Sequence, residues 1–551
     1  MKIALAQLNY TINDFEFNKK KIIDAVLKAK SQSVDLIVFS ELSVCGYPAH
    51  DLLDRKNFIT RCAETVNEIT PYCKGITAII GAPSINRNRK GKMLFNSAFV
   101  ISNGQISSTH HKTLLPTYDI FDEYRYFEPN YEFQIAEISG RKVAVTVCED
   151  LWDDQPVSSS FGRGQLYRTS PMDKLIPFKP EVVINIAASP FSFNIEERRL
   201  AVFKGNVKRY GLPVIYVNQV GANADIIFDG GSAVFNVKGD VVMQLRAFNE
   251  DYQVIDLEKI NQLQPVKISN DTKTRISRIY DALILGIRDY FQKSGFSKAT
   301  LGLSGGIDSA VTLALAVEAL GKENIRVLLL PSKYSSGHSI DDAVALADKL
   351  KIRYDIINIQ NIFESYHHGL ADLFSGLEEN VTEENLQARI RATLLMALSN
   401  KFNHLLLNTS NKSEAAVGYG TIYGDMCGAI SVLGDIYKTD VYRLAEYINR
   451  NEEIIPIHTI SKPPSAELRP NQKDSDSLPE YNILDAILYK YIEEQKDCAT
   501  IIQEGYDKTI VEKTIRLVNI NEHKRYQAPP ILRVSSKAFG FGRKMPLVAK
   551  W

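Results

Sequence analysis

The first half of this 551-residue sequence contains a cysteine, a glutamate and a lysine whose side chains could together hydrolyse an amide. Cys148 closes the apolar run 142–147, Glu41 lies just past the run 34–40, and Lys112 follows a run at 96–102. A thiol nucleophile needs a base and a group that stabilises an oxyanion. Glutamate can take the thiol proton, and an ammonium can stabilise the thiolate and the oxyanion. If the three strands share one sheet orientation, we expect the three side chains to converge at strand ends.

Other acids and bases near these residues leave alternatives open. His110 and His111 directly precede Lys112 and would make a Cys/His dyad, which we rank below the lysine. Glu123 is either an acid close to the three residues or a surface carboxylate. Glu149 and Asp150 directly follow Cys148, and the sequence assigns them no role. The other cysteines have no such company and are interpreted as structural; they are Cys45, Cys62, Cys73, Cys427 and Cys498.

The second half carries "SGGIDS" at 304–309, between a predicted strand and a predicted helix. Glycines and a helix N-terminus let backbone N–H groups surround an anion, so the hexamer predicts a phosphate-binding loop. The spacing and lysine of a Walker A loop are absent from it. Asp308 suits Mg²⁺, which prefers one or two carboxylates plus phosphate oxygens.

Composition limits the classes of partner. Lys plus Arg and Asp plus Glu both number 65, so no long-range field favours nucleic acid or an anionic membrane. Apolar runs are too short for a membrane span, and the first residues lack the pattern of a signal peptide. The six cysteines form no CxxC pair and no metal-ligand spacing. We therefore expect free thiols in a cytoplasmic protein that binds small molecules.

The order of apolar runs predicts two α/β domains joined by a polar linker. We predict a first domain over 1–260, a linker over 261–274 and a second domain over 275–551. The second domain alternates strands and helices, which favours a doubly wound parallel sheet. Strands are predicted in the first domain at 2–8, 34–40, 76–83, 96–102, 142–148, 181–189 and 212–220.

The stretches around Glu41, Lys112 and Cys148 resemble the nitrilase superfamily. They read "VFSELSVCGYPAHDLL", "HHKTLLPTYDIFDEYRYFEP" and "KVAVTVCEDLW". The resemblance covers about 1–260 and implies a Glu-Lys-Cys triad on a four-layer α-β-β-α sandwich. "GYPAHDLL" and "TYDIFDEYRYF" look most like the glutaminase domains of glutamine-dependent NAD synthetases.

Within that resemblance, Tyr118 and Ser189 match glutamine-binding positions. The family usually has a basic residue six positions after the serine, whereas this chain has Ile195. Arg198 or Arg199 could take over that contact, or the loop could be shifted.

The second domain resembles the N-type ATP pyrophosphatases and, among them, NAD synthetases. The motifs that carry this resemblance include "LPSKYSSGHSIDDAVALA", "NTSNKSEAAVGYGTIYGD" and "KPPSAELRPNQKD". Matched positions imply an ATP site at Gly302, Leu303, Ser304, Gly305, Gly306, Ile307, Asp308, Ser309 and Thr409. They imply contacts to deamido-NAD⁺ at Asn385, Glu414, Lys438 and Lys524, and a magnesium site at Asp308 and Glu414.

Together the two resemblances imply a ligase that hydrolyses L-glutamine and passes ammonia internally to the second domain. There, deamido-NAD⁺ is adenylated by ATP with Mg²⁺ and amidated to NAD⁺. One alternative is an amidotransferase of the same type acting on another carboxylate. Another is a sensor with an intact amidase half and a degenerate ATPase half, which Asp308, Glu414 and Lys438 disfavour. The resemblance also implies a homo-oligomer through the second domain.

Overall fold

The computed structural model describes residues 1–88, 90–154, 156–159, 162–266, 272–470 and 472–551. The chain forms two compact units, Met1–Asn270 and Asp271–Trp551. The division falls inside the segment 261–274 that the sequence marks as a linker.

The first unit is built from short strands. They are β1 (Lys2–Gln7), β2 (Leu36–Val38), β3 (Thr77–Ile85), β4 (Leu94–Ser102), β5 (Gln105–His111), β6 (Ala136–Ile138), β7 (Arg141–Val147), β8 (Pro156–Ser159), β9 (Gly162–Gln165), β10 (Val182–Ala187), β11 (Val214–Asn218), β12 (Val220–Asn223), β13 (Ile226–Asp229), β14 (Ala233–Phe235), β15 (Val241–Gln244) and β16 (Asp251–Asp256). Of these strands, β2, β10, β11, β13 and β14 are buried at every residue.

Two six-stranded sheets carry most of these strands, in the orders β16-β1-β2-β3-β4-β5 and β6-β7-β10-β11-β14-β15. In both orders the second, third and fourth strands are parallel to one another, the first and fifth strands are antiparallel to them, and the sixth strand is antiparallel to the fifth. The two sheets therefore repeat one topology. β8 pairs with β9 and β12 with β13 in separate hairpins.

Alternating residues of the first sheet face two different cores. Ile3 and Leu5 of β1 join residues of the second sheet in one cluster. Ala4 and Ala6 face a second cluster with the helices α1 (Phe15–Ser31) and α2 (Lys56–Ile69). This period of two is what a strand buried on both faces requires.

The helices α3 (Pro171–Leu175) and α4 (Ile195–Tyr210) follow later in this unit. On α4, Phe203 packs against Tyr216 of β11 and Phe235 of β14, with ring centroids 4.6 and 5.4 Å away. Helices and sheets thus form the α-β-β-α layers that the resemblance implied, and this prediction of the fold is confirmed.

The structure adds two details that the sequence did not predict. Lys112 does not follow the strand at 96–102 directly, because β5 intervenes and Lys112 comes immediately after it. Glu41 follows β2 of the first sheet and Cys148 follows β7 of the second, so the strands do not share one sheet. The three side chains are instead supplied by two sheets that share a buried core.

The second unit contains a five-stranded parallel sheet in the order β19-β18-β17-β20-β21. Its strands are β17 (Ala299–Gly302), β18 (Ile325–Leu329), β19 (Arg353–Ile356), β20 (Leu405–Asn408) and β21 (Ile430–Ser431). The chain runs outward on one side of β17 and then on the other, as doubly wound sheets do, which confirms the predicted fold class.

The helices of the second unit include long ones on the sheet and a group near the C-terminus. They are α5 (Thr272–Ser294), α6 (Ile307–Leu320), α7 (Gly337–Leu350), α8 (Gln360–Leu370), α9 (Val381–Phe402), α10 (Lys412–Val417), α11 (Lys438–Ile448), α12 (Ile457–Ser461), α13 (Tyr481–Ile492), α14 (Cys498–Gln503), α15 (Lys508–Ile520) and α16 (Glu522–Arg525). Among the described residues, no helix has the length and apolar character to cross a membrane.

Candidate active sites

Glu41 and Lys112 form an ion pair that is sealed from solvent. Lys112 Nζ lies 2.7 Å from Glu41 Oε1, and the two side chains are 0% and 1% exposed. Burial alone would lower the pKa of Lys112, but the carboxylates of Glu123 and Glu41 outweigh it and hold that pKa well above its ordinary value. The lysine is therefore a permanent cation at this position.

Glu123 is the second carboxylate on the same ammonium. Its Oε1 lies 2.8 Å from Lys112 Nζ and accepts a hydrogen bond of 2.9 Å from the Tyr47 hydroxyl. Glu123 is 5% exposed, so it is not a surface carboxylate. Burial raises the pKa of Glu123 to about 7, against the lowering effect of Lys112. The sequence left its position open because it lies in a loop, at the start of the short turn Glu123–Arg125.

The remaining contacts of Glu41 hold its carboxylate from both sides. Asn96 Nδ2 donates to Oε1 over 2.7 Å, and the backbone N–H of Ala188 donates to Oε2 over 2.9 Å. Asn96 belongs to β4, whereas Ala188 directly follows β10 of the other sheet. The glutamate is therefore oriented by groups from both sheets, and sequence reasoning missed both partners.

Cys148 occupies a sharp turn between β7 and a single helical turn over Cys148–Leu151. Its φ is +44°, a left-handed conformation that a non-glycine residue rarely adopts and that is found at active sites. Burial raises the pKa of the thiol well above its usual value; Glu41 raises it further and Lys112 opposes both. The thiol is thus protonated at neutral pH and depends on a base for activation.

The two histidines do not form the alternative dyad within the described residues. His111 Nδ1 lies 2.7 Å from Ser97 Oγ, and its ring stacks on Phe95 with centroids 4.2 Å apart. His110 Nε2 lies 3.0 Å from Ser108 Oγ. Burial lowers the pKa of each imidazole to about 4, so both are neutral and structural at neutral pH.

Glu149, which had no predicted role, binds two tyrosines beside the nucleophile. Its Oε1 accepts hydrogen bonds of 2.9 Å from the hydroxyls of Tyr118 and Tyr167. Burial raises the pKa of Glu149, and Lys112 and the two hydroxyls oppose this. Tyr118, a predicted glutamine contact, is therefore tied to the residue that follows Cys148.

Ser189, the other predicted glutamine contact, lies next to a buried arginine. Arg199 Nη2 donates to Ser189 Oγ over 3.4 Å and to Asp229 Oδ1 over 3.0 Å. Ile195 is the first residue of α4, and Arg199 follows it by four residues, one helical turn later. The helix thus brings Arg199 beside the serine, although position 195, where the resemblance led us to expect a basic residue, is apolar.

The second unit contains a cavity of about 500 Å³ at the C-terminal ends of its strands. This is the edge at which open α/β sheets bind ligands. Every predicted ATP and dinucleotide residue except Gly305 lines it: Gly302, Leu303, Ser304, Gly306, Ile307, Asp308, Ser309, Asn385, Thr409, Glu414, Lys438 and Lys524.

The loop 304–309 is held by its own serines between β17 and α6. The Ser304 N–H donates to Ser309 Oγ over 3.3 Å, and the Gly306 N–H donates to Ser304 Oγ over 3.2 Å. Gly305 has φ +81°, and a Cβ there would lie 2.1 Å from the carbonyl oxygen of Ser339. Only glycine therefore fits at the second position of this turn.

Lys438 joins the two carboxylates predicted to hold magnesium. Its Nζ contacts Asp308 Oδ2 and lies 3.3 Å from Glu414 Oε1. Burial lowers the pKa of Lys438, but Asp308 and Glu414 outweigh this and raise it above its ordinary value. Burial raises the pKa of Glu414 to about 8, with Lys438 opposing. Among the described residues no cluster of three or more metal ligands occurs.

This donor set fits Mg²⁺. Asp308 and Glu414 supply two carboxylates at the phosphate loop, which is what Mg²⁺ takes from a protein when phosphate oxygens and water complete its shell. Asn411 Nδ2 donates to Asp308 Oδ1 over 2.9 Å and fixes one of the two carboxylates. Asn411 also caps α10 and so positions Glu414 in the first turn of that helix.

The three remaining predicted contacts occupy different walls of this cavity. Asn385 lies inside α9, where its Oδ1 accepts a hydrogen bond from the Thr421 hydroxyl over 2.7 Å. Lys524 Nζ donates to the carbonyls of Gly418 and Gly420 over 2.7 and 2.8 Å. Thr409 directly follows β20.

Comparison with known proteins assigns each unit to a described family. The model of the carbon-nitrogen hydrolases matches residues 2–164, and that of the NAD synthases matches residues 279–528. A glutamine-dependent NAD(+) synthetase of Synechocystis sp. is 44% identical over 550 residues, 99% of this chain and 98% of the relative. One of Acinetobacter baylyi is 42% identical over 556 residues, 100% of this chain and 98% of the relative.

Solved structures agree over the same length. A glutamine-dependent NAD+ synthetase from Acinetobacter baumannii in complex with ADP is 39% identical, with a TM-score of 0.77 over 99% of this chain and 98% of that one. One from Cytophaga hutchinsonii is 21% identical, with a TM-score of 0.83 over 100% and 98%, and shares the fold. With full-length relatives above 30% identity, this chain belongs to the family of glutamine-dependent NAD(+) synthetases.

Proposed function

We propose that this protein forms NAD⁺ from deamido-NAD⁺, ATP and L-glutamine, with glutamine hydrolysis in the first unit and amidation in the second. The observation that carries the proposal is the buried Lys112, held between Glu41 and Glu123, whose charges act on the Cys148 thiol. Charged groups that are removed from water and that shift the pKa of a neighbouring thiol support a reactive role for that thiol.

Glutamine hydrolysis proceeds through a thioester. Glu41 takes the thiol proton as Cys148 Sγ attacks the side-chain amide carbon, and the Lys112 ammonium stabilises the oxyanion. The C–N bond breaks, and the proton on Glu41 goes to the leaving nitrogen to give ammonia. Water, deprotonated by Glu41, then attacks the thioester, releases glutamate and returns the proton to the thiol.

Two sets of polar side chains, one directly after Cys148 and one at Ser189, match the α-ammonium and the α-carboxylate of glutamine. Glu149, with the hydroxyls of Tyr118 and Tyr167, supplies a negative charge for the α-ammonium. Ser189 and Arg199 supply a hydroxyl and a cation for the α-carboxylate. Arg199 thereby supplies the positive charge that the resemblance led us to expect at position 195, where this chain has isoleucine.

In the second unit, the loop 304–309 holds the ATP phosphates through its N–H groups. The nicotinate carboxylate of deamido-NAD⁺ attacks the α-phosphorus, and pyrophosphate leaves. Ammonia then attacks the adenylated carbonyl carbon, AMP leaves and NAD⁺ forms. Asp308 and Glu414 would hold Mg²⁺, which neutralises phosphate charge when bound, and Lys438 adds a fixed cation beside them.

The dinucleotide contacts continue as part of the proposal. Asn385, Glu414, Lys438 and Lys524 line the same cavity as the phosphate loop, so one cavity can take both substrates. We further propose that the synthetase unit pairs with a second copy and that the protein works in the cytoplasm. The free state of all six thiols supports a reducing compartment.

Separating the two ammonia sources tests the proposal. Cys148→Ala should form no NAD⁺ from glutamine and should keep the wild-type rate from ammonium, ATP and deamido-NAD⁺. Cys73→Ala, which removes another buried thiol of the same unit, should keep both reactions. Equal loss of both reactions in Cys148→Ala would contradict the two-site scheme.

A further inference from the structure

Asp150 accepts three backbone hydrogen bonds from two separate chain segments. Its Oδ1 accepts from the N–H groups of Thr113 and Leu114, over 2.8 and 2.9 Å. Its Oδ2 accepts from the N–H of Val147 over 3.0 Å. The side chain is 2% exposed, so these bonds replace its hydration.

The two segments are those that carry the cation and the nucleophile. Thr113 directly follows Lys112, and Lys112 is the first residue after β5 of the first sheet. Val147 is the last residue of β7 in the second sheet and directly precedes Cys148. One carboxylate therefore joins the two sheets at the two residues next to the reacting groups.

We infer that Asp150 is a positioning residue of the glutaminase reaction, which fixes the separation of the Cys148 thiol and the Lys112 ammonium. It touches neither group's reacting atom but binds the backbone of Thr113 and Val147, the residues directly next to them. Cys148 needs such a support because its left-handed φ is unfavourable for a cysteine unless surrounding contacts maintain it. A displacement of about 1 Å between reacting groups can cost about 100-fold in rate.

Only a carboxylate of this size meets the requirement. Three N–H groups point at two oxygens, one on the Val147 side and one on the Thr113 side. An amide has one acceptor oxygen, and its NH₂ group would face an N–H donor on the other side. Burial raises the pKa of Asp150 to about 6, and the three N–H groups oppose this, so the group is ionised at neutral pH.

The acids next to Asp150 make different contacts. Glu149 binds the hydroxyls of Tyr118 and Tyr167, and Asp153 lies 3.3 Å from Arg209 Nη1. Asp153 is also buried, at 6% exposed, and lies in the same turn region. It is therefore a matched control that removes a buried negative charge without separating the two segments.

The test compares Asp150→Asn with Asp153→Asn in the full-length enzyme. This inference rests on the proposed glutaminase reaction. For Asp150→Asn we expect kcat of glutamine-driven NAD⁺ formation to fall at least about 30-fold, with KM for glutamine within about twofold because no substrate contact is lost. Ammonium-driven NAD⁺ formation should stay at the wild-type rate, and Asp153→Asn should keep both. Alkylation of Cys148 by iodoacetamide should slow in parallel with kcat.

Three results would overturn the inference: a wild-type kcat in Asp150→Asn, an equal loss in Asp153→Asn, or a rise in KM without a fall in kcat. If Asp150→Asn does not fold, Asp150→Glu carries the test, because it keeps both oxygens one methylene further out. That variant should show a reduced kcat at unchanged KM, and a wild-type kcat would again overturn the inference. Failure of the proposed function itself has a different signature, namely glutamine-driven activity that survives Cys148→Ala.

Discussion

Lys112 Nζ lies 2.7 Å from Glu41 Oε1 although 71 residues separate them in sequence and water reaches neither side chain. A buried ion pair rarely adds stability over apolar packing, because the desolvation of two charges offsets their attraction. The pair and its second carboxylate, Glu123, act on the Cys148 thiol, whose pKa Glu41 raises and Lys112 lowers.

Glu123→Gln tests whether the second carboxylate supports Lys112. With the charge removed, Lys112 keeps one anionic partner, and we expect glutamine-driven kcat to fall about 100-fold or more, as when other buried electrostatic groups at active sites are removed. Tyr47→Phe removes only the hydroxyl that donates to Glu123, and should cost about tenfold or less. Steady-state kinetics with glutamine and with ammonium measure both. A Glu123→Gln variant within twofold of wild type would contradict this role.

Lys438→Met should stop NAD⁺ formation in the second unit and leave glutamine hydrolysis in the first unit intact. It leaves Asp308 and Glu414 without their shared cation, so NAD⁺ formation from glutamine and from ammonium should both fall about 100-fold or more. Release of glutamate from glutamine, measured in the same samples, should continue. Lys401→Met, at an exposed lysine of the same unit, should change neither rate. Normal ammonium-driven synthesis in Lys438→Met would be inconsistent with this assignment.

Lys412→Met should destabilise the second unit. Lys412 Nζ is fully buried at 2.9 Å from both Asp435 Oδ1 and Glu493 Oε1, and it also donates to Ser535 Oγ over 2.8 Å. Removal of the cation leaves two buried carboxylates unpaired, so the free energy of unfolding should fall by about 3–5 kcal/mol. Calorimetry of the full chain would measure the shift of the second unit's transition.

The control for this stability prediction is Lys508→Met, which removes an exposed lysine 3.8 Å from Glu512. Such surface pairs contribute at most about 1 kcal/mol. If both variants unfolded at the same temperature, the buried cluster would not carry the stability assigned to it.

His110→Gln should make the first unit less sensitive to acid. Folded His110 has a pKa of about 4, whereas an unfolded histidine titrates near 6.5. Between these values the unfolded state binds the extra proton, so acidification across this window destabilises the fold. From pH 7 to pH 5 this contribution is roughly 1–2 kcal/mol, which the variant should lack.

Denaturant unfolding at the two pH values gives the required difference between wild type and His110→Gln. The comparison between variants matters because Glu123 and Asp150 act with the opposite sign: their raised pKa values make stability fall as pH rises. A pH dependence identical in both proteins would show that His110 titrates normally when folded.

Motifs along the chain were enough to predict the two units and the cavity-lining residues, but not how the triad is assembled. β5 was missed because its residues are polar and its burial pattern is mostly exposed or intermediate, as at a sheet edge. Without that strand, the sequence did not show that Lys112 directly follows a strand at the edge of the first sheet. The split of Glu41 and Cys148 between two sheets depends on long-range packing, which no local pattern carries.

The supporting contacts were also beyond sequence reasoning. Asn96 and Ala188 reach Glu41 across 55 and 147 residues. Arg199 could only be weighed against Arg198, and its contact with Ser189 Oγ depends on a helical turn that the sequence did not place. The sequence assigned Asp150 no role because its partners are backbone N–H groups, which almost every residue has whatever its side chain.

The repeated strand order of the two sheets shows how the predicted reacting groups are distributed between them. By position, β2 in one sheet corresponds to β10 in the other, so Glu41 and Ser189 follow equivalent strands. The first sheet supplies Glu41 and Lys112, the predicted base and ammonium, and the second supplies Cys148 and Ser189, the predicted nucleophile and glutamine contact. The two sheets thus have the same topology, but neither sheet alone holds all of the predicted reacting groups.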